Sequence, residues 1–266
     1  MGSGRWIPVG PEAPSSFERV REVLADTVWS WLFPARCAGC GRFETFLCDD
    51  CRALLTPVGP EQCPRCGNPG VGWTSPAWCP VCVGQEVAFL RARSAFLYEG
   101  VARHLVTAFK FQGQRSLAPV MAELAGAAFA DLVAPIGDPI VTWVPSHRAT
   151  ERARGYNQAE VLARGLAKQA GGLPAIALAR KVSRTQHQQT LSRQSRQANL
   201  RGAFRPVGEG VAGRARDAKG VIVVDDVYTT GATANEVASV VAWGTGLPVC
   251  VFTFCRTVAV GNQGAD

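Results

Sequence analysis

No run of 18 apolar residues occurs in the 266-residue chain, because Glu123 and Asp131 interrupt the best candidate, so no membrane-spanning helix is expected. The opening stretch MGSGRWIPVGPEAPSS carries one early arginine but lacks the continuous apolar core of a signal peptide; a cytoplasmic protein without membrane insertion is the expectation. Histidine is scarce. His104, His147 and His187 stand alone, with no carboxylate partner at legible spacing, and none is assigned as a catalytic base. Acidic residues are absent from 161 to 208, while Lys or Arg occupies 164, 168, 180, 181, 184, 193, 196, 201 and 205. The net charge of +7 and the pI of about 9.0 therefore reflect a local basic excess. Apolar content is ample at 47%, with a mean hydropathy of +0.05, which excludes a disordered chain and predicts a buried core in one or two domains.

Eight of the ten cysteines fall between Cys37 and Cys82 as four C-x-x-C pairs, Cys37/Cys40, Cys48/Cys51, Cys63/Cys66 and Cys79/Cys82. A tetrahedral zinc takes four thiolates, and each pair supplies two from one tight turn, so two four-thiolate zinc sites are expected. Gly39, Gly41 and Gly67, with Pro64 and Pro80 inside their pairs, suit such turns. A redox dithiol would need one such pair at the end of a strand, not four in a loop-rich segment. Sequential use gives 37/40/48/51 and 63/66/79/82, and interleaved use gives 37/40/63/66 and 48/51/79/82; sequential use is preferred. Four thiolates leave no open position on the metal, so both sites are expected to be structural. Cys250 and Cys255 lie in an apolar strand and read as packed thiols.

Around the cysteines the organisation changes twice. Phe17, Val20, Leu24, Val28 and Leu32, behind a Ser15/Glu18 capping box, predict an amphipathic helix over residues 17–32. Residues 37–82 have too few aliphatic side chains to fold on burial alone. From about residue 86 the patterns alternate: a strand near 95, a helical stretch over 101–133, a strand over 139–145, a helix over 158–170, a strand over 221–226, a helix over 233–243 and a strand over 249–254. This predicts an α/β fold with a largely parallel sheet.

The densest chemistry lies in Val221-Ile-Val-Val-Asp225-Asp226-Val-Tyr-Thr229-Thr230-Gly231-Ala232-Thr233, a buried strand with two carboxylates at its carboxyl end, a small-residue turn and a helix start. In open α/β sheets this edge binds ligands. The threonine hydroxyls, Gly231 and the N–H groups of the turn suit an anion, and the vicinal hydroxyls of a ribose suit the two carboxylates. A strand that merely ends in a helix cap is the bland alternative, and D-D-x-x-T-T-G-x-T is too specific a run for it.

That run is similar to the ribose-5-phosphate loop of type I phosphoribosyltransferases. His147-Arg148-x-x-x-Arg152-x-Arg154-Gly155-Tyr156-Asn157-Gln158, then Thr185-x-x-Gln188-x-x-Leu191-Ser192-x-x-x-Arg196-x-x-Asn199-Leu200-x-x-Ala203-Phe204, and Phe109-Lys110-Phe111 behind the paired cysteines, resemble the signatures of the ComF/GntX family. The resemblance spans Cys37 to Arg256. It implies an N-terminal helical segment (1–36), a double zinc ribbon (37–85) and a phosphoribosyltransferase-like domain with a mostly parallel sheet flanked by helices (86–266).

It further implies phosphoribosyl pyrophosphate with magnesium as the ligand. Thr229, Thr230, Gly231, Ala232 and Thr233 would hold its 5-phosphate, and Asp225 and Asp226 its ribose hydroxyls. The loop beginning at Ser146 would place Arg148, Arg152 and Arg154 on the pyrophosphate, where positive charge stabilises a leaving group, with Asn157 capping the next helix. Residues 184–201, with Arg184 and Arg196, resemble the mobile loop that closes over the donor, and such a basic loop equally suits nucleic-acid phosphates. Lys110 could reach the donor or mark the wet side of a helix. No acceptor-binding hood is recognisable, and the cysteine-rich segment occupies its place in the chain.

Two functions follow from the resemblance. One is a phosphoribosyltransferase acting on an unidentified acceptor, with a role in DNA uptake. The other is a non-catalytic competence factor that binds DNA or protein and keeps the donor site as a sensor or scaffold. Trp73 and Trp78 are the aromatic candidates for single-stranded DNA, and DNA-uptake proteins are the expected partners.

Overall fold

The structure is a computed structural model that describes residues 35–70, 78–111, 114–182, 202–208 and 215–259, together with Gly210 and Gly213. The helix expected over 17–32 lies outside these residues, as do Trp73, Arg184, Arg196 and the rest of the basic loop.

The first described unit is a run of tight turns around a short helix α1 (Asp49–Ala53), whose one buried residue is a cysteine. The α/β part follows in the order β1 (Arg91–Leu97), α2 (Gly100–Phe111), α3 (Leu117–Val133), β2 (Pro139–Trp143), α4 (Arg148–Arg154) and α5 (Gln158–Gln169). Its second half holds β3 (Ala179–Lys181), β4 (Phe204–Pro206), β5 (Gly220–Tyr228), α6 (Ala232–Thr245) and β6 (Val249–Arg256). Four of the strands form one sheet in the order β1-β6-β5-β2, and every neighbouring pair is parallel. The central strands β5 and β6 are apolar on both faces, as a parallel sheet covered by helices requires. Helices α3 and α5 pack on each other and on the sheet, and α6 packs on β5 and β6. The expected mostly parallel sheet flanked by helices is present.

Three features differ from the sequence reading. The helical stretch expected over 101–133 is two helices, ending at Phe111 and restarting at Leu117, because the intervening Gln-Gly-Gln-Arg-Ser is polar and contains glycine. The segment after Ser146, read as a loop, forms the short helix α4; it has no buried side chain and hence no apolar period to betray it. Strands β3 and β4 form a separate antiparallel pair of three residues each, too short to register as a pattern.

The cysteine-rich turns are fastened to the outer side of β1. Val58 N–H donates to the Ala95 carbonyl at 2.9 Å, Leu97 N–H to Thr56 at 2.9 Å and Ala92 N–H to Arg65 at 2.7 Å. Across the joint, Arg52 pairs with Glu123 on α3 at 2.8 Å, and Asn235 on α6 accepts from the Ala88 N–H at 2.7 Å. One contiguous buried cluster runs from Cys37 through the sheet to Cys255.

Candidate functional site

The eight paired cysteines gather into two clusters, Cys37/Cys40/Cys48/Cys51 and Cys63/Cys66/Cys79/Cys82, so their use is sequential. Within each cluster all four sulfurs lie within 4.8 Å of one another. A tetrahedral zinc with bonds of about 2.3 Å spaces its sulfurs roughly 3.8 Å apart. The Cys37–Cys48 and Cys40–Cys48 sulfur separations are both 3.7 Å, and Cys66–Cys79 is 3.6 Å. The Cys48 and Cys79 N–H groups point at the sulfurs of Cys37 and Cys63, both at 3.4 Å, as suits thiolates. Gly39 is required by this crowding, since a Cβ there would lie 2.6 Å from the Cys51 sulfur. Donor set and spacing therefore fit zinc at both sites, with no coordination position left for chemistry.

The second centre is at the carboxyl end of β5. After four buried residues, Asp225 and Asp226 end the run; Asp226 is 7% exposed, and its N–H donates to Asp225 Oδ1 at 2.9 Å. The chain then turns through Thr229 and Thr230 to Gly231, whose φ of 77° is left-handed and where a Cβ would collide with the Tyr228 hydroxyl. Thr230 Oγ1 accepts from the Ala232 N–H at 3.3 Å as α6 begins, and the first N–H groups of a helix have no partner within the helix itself. All seven residues proposed from the sequence thus lie on one strand end, turn and helix start.

Lys110 was only loosely placed by the sequence, and it joins this centre. Reaching over from the last turn of α2, its ammonium lies 2.7 Å from Asp226 Oδ1. Burial alone would lower the Lys110 ammonium, but Asp226 and Asp225 outweigh it and hold it above its usual range. Burial pushes the Asp225 carboxyl up to about 7, and the Asp226 charge adds to that, against the pull of Lys110 and Lys181. Lys181, on β3, is itself lowered by burial although Asp225 opposes the shift.

The arginine candidates lie on the neighbouring strand end, since β2 pairs with β5 and leads into α4. Arg148 and Arg152, both exposed, line an open concavity together with Glu151, which accepts from the Ser146 hydroxyl at 2.7 Å. Arg154 instead stacks over Phe111 at 5.1 Å and donates to Gln158 Oε1 at 3.3 Å. Asn157 caps α5 as expected: its Oδ1 accepts from the Ala159 N–H at 3.0 Å, and its Nδ2 donates to the Val144 carbonyl at 3.1 Å.

One buried residue had no sequence signal at all. Arg256, 1% exposed at the end of β6, donates to the Cys66 carbonyl at 2.6 Å and to Asn68 Oδ1 at 2.9 Å, and its guanidinium lies 5.1 Å from the Tyr228 ring centroid. A cavity of about 90 Å³ lies beside this strut, with the Tyr228–Ala232 turn on one wall and Val81, Cys82 and Glu86 on the other. The second cysteine cluster is therefore part of the wall of the candidate ligand site.

On the outside of the same clusters, two guanidinium groups cover exposed rings. Arg65 lies 4.1 Å from the Trp78 ring centroid and Arg36 3.9 Å from that of Phe43, with the two aromatic residues 46% and 49% exposed. No described helix is long and apolar enough to cross a membrane.

Comparisons with known proteins bear on this arrangement. The family described as Double zinc ribbon domain matches residues 28–83. DNA utilization protein YhgH of Salmonella typhi is 30% identical over 220 residues, covering 80% of this chain and 91% of its own. Competence protein F of Haemophilus influenzae is 28% identical over 197 residues, covering 72% and 82%. Competence protein ComFC of Bacillus subtilis is 24% identical over 221 residues, covering 79% and 84%. A hypoxanthine phosphoribosyltransferase from Staphylococcus aureus matches 55% of this chain and 68% of its own at 13% identity and a TM-score of 0.31, a likeness too slight to carry an argument. A double zinc ribbon laid along the edge of a parallel sheet, in a chain that shares its sequence with these relatives over most of their length, places this protein in the ComF family.

Proposed function

We propose that this protein binds phosphoribosyl pyrophosphate with magnesium at the carboxyl end of β5 and serves DNA uptake, with phosphoribosyl transfer to an acceptor as the activity the site is built for. The observation that carries the reading is the junction of Asp225 and Asp226 with a left-handed Gly231 turn opening α6. The turn offers N–H groups and hydroxyls to a phosphate, while the carboxylates accept from vicinal hydroxyls. Among the described residues, acidic side chains form no cluster of three or more able to hold a metal ion. Magnesium is therefore expected to arrive on the donor's phosphates and to meet at most the carboxylate pair, the usual habit of that ion. Bound so, it would neutralise charge on the departing pyrophosphate. Arg148 and Arg152 are the protein's own cations for the same task. The role in DNA uptake is supported by the names of the competence relatives.

The test is calorimetric titration of the zinc-loaded protein with phosphoribosyl pyrophosphate and magnesium, beside an Asp225→Asn/Asp226→Asn variant. Micromolar binding that the double change abolishes is the expected result. A folded wild-type protein that takes up no donor would end the reading.

A second reading is favoured by the stacked pairs Arg65–Trp78 and Arg36–Phe43, since exposed rings beside guanidinium groups are platforms for unstacked bases. In this reading the ribbon binds single-stranded DNA while the donor site acts as a sensor. Trp78→Ala is expected to weaken single-strand binding by about ten-fold in a gel shift, the effect of one lost base stack, with donor affinity unchanged. An unaltered gel-shift affinity would remove Trp78 from any DNA surface.

A further inference from the structure

We infer that Lys110 is a donor-site residue, a cation parked on Asp226 in the free protein and transferred to the donor's pyrophosphate when the ribose hydroxyls occupy that carboxylate. The inference rests on the donor reading above and adds a specificity-determining residue to it.

The ion pair differs from its counterparts. The other four among the described residues join side chains that are 35–82% exposed, as solvated surface pairs do. In the Lys110–Asp226 pair the side chains are 26% and 9% exposed. A pair this far from water loses hydration on both partners, and apolar residues of similar volume would hold the place at least as well, so stability alone gives it little reason to exist.

The helix end carrying Lys110 is also pinned from the leaving-group side. The Tyr156 hydroxyl donates to the Phe109 carbonyl at 2.6 Å, the two rings lie 5.6 Å apart, and Arg154 covers Phe111. Residues on both sides of the lysine are therefore held by the R-x-R-G-Y-N-Q segment, whose helix α4 bears Arg148 and Arg152. One assembly joins the pyrophosphate candidates to the carboxylates through Phe109-Lys110-Phe111.

The chemistry of exchange follows from the groups present. Ribose hydroxyls that donate to Asp226 compete for the lone pairs Lys110 now occupies. The displaced ammonium is a point charge on a flexible four-carbon stem, suited to turning onto phosphate oxygens. The Lys181 charge still favours the Asp225 carboxylate, and Tyr98 is the further titratable group acting on Lys110. A ligand bearing hydroxyls and a 5-phosphate but no pyrophosphate would displace the lysine without giving it a new partner.

The experiment titrates wild type, Lys110→Met and Lys110→Arg with phosphoribosyl pyrophosphate plus magnesium and with ribose 5-phosphate, from about pH 6 to about pH 9. Lys110→Met is expected to weaken the pyrophosphate-bearing ligand by roughly ten- to a hundred-fold, the loss of one charge-assisted hydrogen bond. Ribose 5-phosphate should change far less, and Lys110→Arg should recover most of the loss. Without the cation the Asp225 carboxyl loses a charge that holds it down, so it keeps its proton to higher pH and the rise of donor binding with pH should also move upward in Lys110→Met. Equal affinity in folded Lys110→Met, or equal loss of both ligands, would overturn the inference and leave Lys110 as a counter-ion. Failure of the wild type to bind any donor would overturn the site reading itself, and the wild-type arm tells the two failures apart. Should Lys110→Met melt early, Lys110→Gln supplies the same comparison.

Discussion

Stripping zinc with a strong chelator is expected to unfold residues 37–82 and to abolish donor binding by the α/β part in the same step. The segment owes little to burial: apart from its cysteines, the buried apolar side chains among the described residues between 37 and 82 reduce to Leu47. Metal coordination supplies the rest, on the order of 10 kcal/mol per structural site in small zinc modules. Coupling to the donor turn runs through Arg256, which holds the Cys66 carbonyl and Asn68 on one side and lies against the Tyr228 ring on the other. The Tyr228 hydroxyl in turn packs where Gly231 has no Cβ. A Cys66→Ser variant should bind one zinc instead of two, by metal-release titration with a chromogenic dye, and should lose donor affinity although it leaves every residue of the turn in place. A metal-free protein that loses ribbon structure by circular dichroism and still binds donor at full strength would show that the strut transmits nothing.

Asp225→Asn is expected to stabilise the donor-free protein above neutral pH while it weakens the ligand site. Folding raises the Asp225 carboxyl from its ordinary 3.8 to about 7, so between those values the folded chain holds a proton that the unfolded chain releases. Stability therefore falls as pH rises through that window, and the full cost is present above it. At 1.36 kcal/mol per unit the cost has an upper bound of about 4 kcal/mol, with solvent at the partly exposed carboxylate reducing it. Asparagine removes the penalty, and its Oδ1 still accepts from the Asp226 N–H. Thermal melts should show the variant ahead of wild type by several degrees near pH 8 and level with it near pH 4. A melting curve for Asp225→Asn that tracks wild type at both values would remove the carboxylate as a source of strain. Asp225 is thus a charge retained against stability, the pattern expected of a binding group.

What the sequence made legible was local. Four C-x-x-C pairs announce their clusters because each knuckle closes over three bonds' worth of residues, and preferring sequential use was right because neighbouring knuckles are close along the chain. Strand β5 with its turn was equally plain, since the apolar run, the carboxylates and Gly231 are contiguous. The illegible parts depend on distant partners. Lys110 and Asp226 are brought together only when β1 and β5 share a sheet, and nothing in Phe-Lys-Phe distinguishes a lysine facing water from one facing a carboxylate. Arg256 closes an apolar strand with a charge, and its partners Cys66 and Asn68 lie far back in the ribbon. Helix α4 escaped because a helix with no buried side chain has no apolar stripe to read.

The hydrogen bonds along the outer rims of the sheet carry a consequence for solubility. Strand β1 is one rim, and its outward groups are taken by Thr56, Val58 and Arg65. Strand β2 is the other rim, where Val141 exchanges bonds with Pro174 and Ile176. Unsatisfied rims of this kind template pairing with other chains, the route by which sheet proteins aggregate. The cysteine-rich turns act as a covalently attached guard against self-association, so a fragment beginning at residue 86 would keep its sheet and expose a seven-residue strand ready to recruit copies of itself.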